Sequence, residues 1–545
     1  MFDILKVFER RPDHPMATVG EAEAVLALLE QEQPEAALEQ LAIWARSLRE
    51  TDGFACDTRL AVVRMIDESA RPRVAAALAE FFAHVHHRDR AQKRSFALLH
   101  AYWSEISGAY ARCLADHEQG RKGAARIREE LPLALGRSLR AAAQAARLRC
   151  LRYLGIEAET WAELSRRFAC GERLGIDDKP FVAYPGEVHS SARAEFLKVL
   201  GLSLAALHEL PPLQIELASR VLERFAISFA WGRQAKPECN FAIDLSAPAP
   251  PGPARSAAAA SPSMRYFGGG PALAKLEEIE RLSEANLLSE EMRFGKEFTP
   301  AQIVTVIRHL RTFLGIDPPR RRYAREGANA DLSVVHGFRA ICQRVTAIEL
   351  GAAVAPGDDS GTEGKKRAAM RLLAEEVESH PETWLEKDRS EWGIGVDIPP
   401  GKGEWAEPGV ACGVRNREDA PWSVGIIRRL EADESGHLHG GFWILSKKPV
   451  SVWLRVIGTE GQKASNWETS TGSFSYRYMR AILLPDALKW HEHPVMLIER
   501  QELGLGELCE VMVGEHTRTI ELVELIEEGA DYLRVGFTWR VPEKR

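Results

Sequence analysis

The chain of 545 residues is 45% hydrophobic and 27% charged, enough for several cores of soluble globular type. Its net charge of -7 argues against a dedicated nucleic-acid binder. The absence of any long uncharged apolar run predicts no membrane span.

The N-terminal stretch Met1–Arg11 lacks the apolar core of a secretory signal. The 8 cysteines stand singly with no C-x-x-C pair, which predicts reduced thiols in a cytoplasmic protein and no zinc site.

Helical periodicity runs through the first part of the chain. Thr18 is placed to cap a helix through Ala22, Val25, Leu26 and Leu29, and Pro34 opens a second through Leu38, Leu41 and Trp44. The same period continues over 62–65, 74–82, 96–113, 131–153, 192–210 and 217–225. Residues 1–245 are therefore read as a helical domain, without the fixed period of a repeat solenoid. His84, His86 and His87 are too close together to share a helix face and carry no H-E-x-x-H pattern, so no metal is assigned to them. The arginines of 137–152 are read as a solvated face.

Residues 246–270, rich in alanine, proline and serine at their start, read as a flexible seam. Linking helices over 271–317 follow, the second opened by Thr299 and Pro300. Next comes a basic knot, Arg320 to Arg325, and then a strand around 330–338. A loop at 357–364 and an amphipathic helix over 365–380 suggest an insertion near 360–382.

From 390 onward short alternating strands with glycine turns predict small closed barrels. The pivotal stretch is Trp384 to Ile398. Its polar cluster, Asp388 to Ser390, leads through Gly393 into a strand in which Ile394, Val396 and Ile398 alternate with Gly395 and Asp397. Gly393 is the cheapest point for a bulge or for close approach of a ligand. Residues 318–460 are assigned to a first barrel and 473–545 to a second.

Arg321 and Arg325 form an R-x-x-x-R pair before the first strand, and Asp388, Ser390 and Gly393 form a D-x-S-x-x-G stretch on the barrel. In these motifs residues 318–460 resemble the PilZ family, in a divergent, multidomain form of proteobacterial type. The fold class is accordingly multidomain α+β, an N-terminal all-α domain followed by C-terminal β-barrel domains of PilZ-like type. The resemblance implies cyclic di-GMP as ligand: the arginines clamp its phosphates and a guanine face, and the Asp/Ser loop contacts a guanine edge. Guanidinium forks suit phosphate oxygens, and a carboxylate accepts from ring N–H groups. Arg322, Tyr323 and Trp392 are candidate additional contacts, the aromatic pair by stacking. The two motifs stand about sixty residues apart, wider than the family's usual strand and turn, which the insertion would explain.

The function expected is that of a signalling adaptor passing nucleotide binding to an unknown protein partner. The alternative is a scaffold whose barrel has lost its ligand and docks a protein through Trp422, Arg428 and Arg429. No cofactor and no catalytic residue are assigned, since G-x-S-x-G, Walker A and dinucleotide fingerprints are missing from convincing settings.

Overall fold

In the computed structural model the chain divides into two units, residues 1–320 and 321–545. Described are residues 11–86, 89–256, 261–319, 324–351, 380–417, 420–457, 478–500, 505–513 and 516–540.

The first unit is built from α1 (Val19–Leu29), α2 (Pro34–Glu50), α3 (Cys56–Ala83), α4 (Arg90–Glu118), α5 (Leu131–Leu151), α6 (Ala158–Leu174), α7 (Ala192–Leu204) and α8 (Pro212–Phe225). Later come α9 (Pro271–Glu284) and α10 (Pro300–Leu314). Their starts follow local chemistry. Thr18, Asp89 and Ser191 accept from backbone N–H groups at the N-termini of α1, α4 and α7, Pro34 sits in the first turn of α2, and Thr299 with Gln302 forms a capping box on α10. Helix α4 packs on α2, α3 and α5, and α5 on α6, α7 and α8. The two periodic stretches at 62–65 and 74–82 belong to one helix, α3, with Pro72 inside it.

The alanine-rich α5 does not present a solvated arginine face. Arg137 is 3% exposed, its guanidinium paired with Asp67 and Glu68, while Arg140 pairs with Glu187 and Glu195, and Arg147 with Glu216. Alanine's small side chain brings neighbouring helices close, and the arginines reach across to carboxylates distant in sequence. Asp67 also accepts from the hydroxyls of Tyr102 at 3.1 Å, Tyr110 at 2.8 Å and Tyr184 at 3.0 Å. Burial raises its pKa, opposed by Arg137 and the three hydroxyls.

Short strands complete this unit: β1 (Phe181–Val182) pairs with β2 (His189–Ser190), and β3 (Ala230–Gly232), β4 (Phe241–Asp244), β5 (Gly252–Pro253) and β6 (Met264–Gly268) form a sheet in the order β3-β6-β4-β5. All five residues of β6 are buried, so the proposed flexible seam is structured at its C-terminal end. The reason is pairing: β6 is the inner strand between β3 and β4, and Phe267 packs against Trp231 and Phe241.

The second unit comprises β7 (Glu326–His336), α11 (Phe338–Gly351), β8 (Glu382–Arg389), β9 (Gly393–Ile398), β10 (Ala411–Arg415), β11 (Ser423–Ala432), β12 (Leu438–Ser446), β13 (Val450–Val456), β14 (Tyr478–Leu483), β15 (Val495–Glu499), β16 (Leu508–Val513), β17 (His516–Glu528) and β18 (Tyr532–Arg540). Two closed barrels result, β10-β11-β12-β9-β8-β7 and β13-β14-β15-β18-β17-β16. An N-terminal helical region followed by C-terminal barrels is thus the architecture of the chain.

One boundary needs correction. The strand at 450–456, assigned from sequence to the first barrel, pairs with Tyr478–Leu483 and Leu508–Val513 and belongs to the second. Only a short link after β12 separates the barrels, so hairpin-like spacing concealed the change of sheet. Most of the proposed insertion at 360–382, and the 357–364 loop, lie outside the described residues, and α11 occupies part of the interval between β7 and β8.

Inside the first barrel Trp384 stacks on Trp405 and Phe442, with ring centroids 5.3 and 5.7 Å apart. Helix α11 joins the barrels by burying Phe338, Ile341, Cys342 and Val345 in one cluster with Val424, Ile426, Ile482 and Leu497. Among the described residues no helix is long and apolar enough to cross a membrane, and no group of three or more His, Cys, Asp or Glu side chains is arranged for a metal.

Candidate ligand-binding site

The register of β7, β8 and β9 brings the two sequence motifs together. Glu326 pairs with Arg389 and Gly327 with Asp388, so Arg325, just before β7, arrives beside the end of β8. Asp388 Oδ1 accepts from Arg325 Nη1 at 2.6 Å, across 63 positions of sequence. Both groups are part-buried, which makes this a stronger contact than an ordinary surface ion pair.

A β-bulge aims the carboxylate. The β8–β9 register slips between Glu386 and Asp388, so Lys387 and Asp388 both face outward while Arg389 turns back toward buried Glu386, 2.5 Å away. Lys387 reaches Asp397 at 3.0 Å, and His439 meets the same carboxylate at 2.6 Å. Burial raises the Asp397 pKa, but these two partners outweigh it and hold the carboxyl below its ordinary range. The bulge therefore lies at Lys387, whereas Gly393 opens β9 after a tight turn. In that turn Ser390 N–H donates to Gly393 C=O at 2.8 Å, and Ser390 Oγ lies 2.8 Å from where a Cβ on Gly393 would stand.

Along β9 Ile394, Val396 and Ile398 point into the barrel, leaving Gly393, Gly395 and Asp397 on the outside. Gly395 pairs with Asp388 on one side and with Gly441 of β12 on the other, and Gly441 pairs with Arg429 of β11. A second bulge, between Ile427 and Arg429, turns Arg428 and Arg429 both outward. The outer wall thus carries the cross-strand row Asp388–Gly395–Gly441–Arg429. A Cβ on Gly395 would come 2.5 Å from Asp388 Oδ1, and one on Gly441 would come 2.9 Å from the Arg429 side chain. Each charged side chain lies flat on the strand beside it because the glycine leaves room. The Asp388 carboxylate meets Arg325 directly, while Arg429 stands two glycines away in the row, its guanidinium 4.0 Å from Glu431.

Sequence reasoning missed Gly395, Gly441 and Arg429 as members of this face. Alternation alone marks Gly395 as outward; the other two depend on pairing across β9 and β12.

Arg325, Asp388, Ser390 and Gly393 are brought together. Arg321, Arg322 and Tyr323 lie outside the described residues. Trp392 occupies the turn itself but is only 5% exposed, with Trp490 edge-on at 4.7 Å. Its ring is a packing element of the turn, not an open stacking platform.

Of the three residues in the alternative docking surface, Trp422 and Arg428 are engaged within the barrel unit. Trp422 is 4% exposed in the cluster under α11. Arg428 makes a bidentate pair with Glu527 of the second barrel at 2.8 and 3.0 Å, and its guanidinium stacks over Trp443 at 4.8 Å. Arg534 reaches the same Glu527 at 3.0 Å and the same indole at 5.0 Å. These residues bind the barrels to each other. Arg429, the third of that group, belongs to the Asp388 row.

Comparison with known families bears on the other unit. Residues 20–233, less than half of the chain, match the family model described as "Cyclic-di-GMP receptor FimW, N-terminal domain". The match runs from the start of α1 to the end of β3 and leaves both barrels outside it. No curated protein matches the chain. The helical region is therefore similar to a domain of cyclic di-GMP receptors, and the candidate site stands on its own geometry.

Proposed function

We propose that this chain is a signalling adaptor that binds cyclic di-GMP on the outer wall of its first, PilZ-like barrel and passes the event to a protein partner. The observation that carries the reading is the 2.6 Å contact of Arg325 with Asp388, which joins the second arginine of the R-x-x-x-R pair to the D-x-S-x-x-G stretch at one end of one barrel. The family match of the helical region to a cyclic di-GMP receptor domain supports the ligand class.

The chemistry suits a guanine dinucleotide. Asp388 accepts from guanine N–H groups, the Ser390 hydroxyl supplies a second polar contact, and Arg325 exchanges its carboxylate partner for a phosphate or a base face. Arg429, across two glycines, adds a second guanidinium on the far side. No bond is made or broken; binding shifts the population between arrangements of the protein. The proposed site is cytoplasmic, where its ligand acts.

Calorimetric titration of the full chain with cyclic di-GMP at near-physiological salt tests this. The parent is expected to bind in the low-micromolar range, and Arg325→Ala and Asp388→Ala to weaken binding by about tenfold or more each, given the strength of charged hydrogen bonds. A folded parent that takes up no cyclic di-GMP overturns the reading.

A further inference from the structure

The turn that holds Ser390 and Gly393 also carries an indole, Trp392, approached by two ammonium groups. The ammonium of Lys447 lies 4.6 Å from the Trp392 ring centroid and that of Lys489 lies 4.4 Å from it. Lys447 follows β12 of the first barrel, while Lys489 ends the short helical turn Pro485–Lys489 between β14 and β15 of the second. Both lysines are exposed, and among the described residues neither ammonium is in an ion pair. The adjacent carboxylate, Asp486, accepts instead from Ser446 Oγ at 3.0 Å and Lys447 N–H at 2.9 Å.

The ring beneath them is fixed. Trp392 C=O accepts from Ile444 N–H at 2.9 Å, and Trp490 packs between Trp392 and Trp443 with centroid separations of 4.7 and 5.8 Å. A cation over an indole face is attracted to it, but two like charges drawn to one ring repel each other. A phosphodiester monoanion bound between the ammoniums offsets that repulsion and accepts from both. We infer that Lys447 and Lys489, held on Trp392, form a phosphate subsite of the nucleotide site, so that the second barrel supplies a ligand-binding residue. The inference rests on the cyclic di-GMP reading above and assigns the second barrel a part in it.

The test is titration of the full chain with cyclic di-GMP, comparing the parent with Lys489→Gln, Lys447→Gln/Lys489→Gln and Lys489→Arg, alongside ligand-free melting curves. Each neutral substitution is expected to weaken binding by about tenfold, the double more, with Lys489→Arg close to the parent. Melting temperatures of the ligand-free variants are expected to stay near the parent's. If the double variant binds like the parent while Arg325→Ala does not bind, the subsite is overturned and the nucleotide reading stands. If the lysine variants melt lower at unchanged affinity, the lysines serve only as a cap on the indole, and the subsite is again overturned. A parent that does not bind overturns both together.

Discussion

The Asp388 carboxylate lies in the space above Gly395, its Oδ1 2.5 Å from the position a Cβ there would take. The carboxylate stays on the barrel wall, within reach of Arg325, only because Gly395 has no side chain. Gly395→Ala displaces a short acidic side chain and not backbone, so the barrel is expected to fold with a melting temperature near the parent's. Cyclic di-GMP affinity is expected to fall by about tenfold or more, as for direct loss of the carboxylate contact. Titration of the folded variant checks this, and parental affinity would show that Asp388 is not held for the ligand.

The helical unit depends on a different carboxylate. Asp67 is 2% exposed and serves Arg137 and three tyrosine hydroxyls at once. Asp67→Ala leaves the buried Arg137 guanidinium with Glu68 as its one remaining acid among the described residues, and removes the acceptor shared by three hydroxyls. Breaking one side of a buried pair costs about 3–5 kcal/mol. Denaturant titration of the full chain followed by helical circular dichroism is expected to show the helical transition shifted by that amount. The paired replacement Asp67→Leu/Arg137→Met is expected to cost less than Asp67→Ala, because it removes both charges together.

What is legible from the residues alone depends on whether the signal is local. Helix starts at Thr18, Pro34 and Thr299 and the strand alternation of Ile394, Val396 and Ile398 are local signals, and each emerges in the structure. Arg325 and Asp388 were visible as motif members, though their contact needed the β7–β8 register. Signals that depend on distant partners were hidden. The α5 arginines read as solvated because Asp67, Glu195 and Glu216 are far away in sequence. Strand β6 escaped notice because burial on both faces erased its alternation. Arg429 joined the site only when β9 and β12 placed Gly395 and Gly441 between it and Asp388.

Trp422 separates a structural from a docking role. Its ring packs with Val424, Ile341 and Phe338 in the cluster that joins the barrels through α11. Trp422→Ala is expected to destabilise the barrel unit by about 3–5 kcal/mol, the range for emptying a buried aromatic site. Thermal unfolding followed by tryptophan fluorescence measures it. A variant as stable as the parent would return Trp422 to the list of surface contacts.

Acid sensitivity of the helical unit is expected to centre on His309. Its ring lies in α10 with Nε2 2.7 Å from Ala205 C=O and packs against Phe313. Burial lowers its pKa to about 4 from the ordinary 6.5, the bond to Ala205 only partly opposing that. The folded state therefore favours neutral histidine, while the unfolded chain takes up a proton first as pH falls. Stability from this group is fully present above pH 6.5 and is lost progressively as pH drops toward 4, where the folded form also protonates. At about 1.4 kcal/mol per pH unit, the loss amounts to at most about 3.5 kcal/mol. Melting curves of the parent and of His309→Gln across this window measure the difference. The parent is expected to lose more stability than the variant between pH 6.5 and pH 4. Equal losses would show that carboxylates elsewhere set the acid response, and that His309 is protonated as readily folded as unfolded.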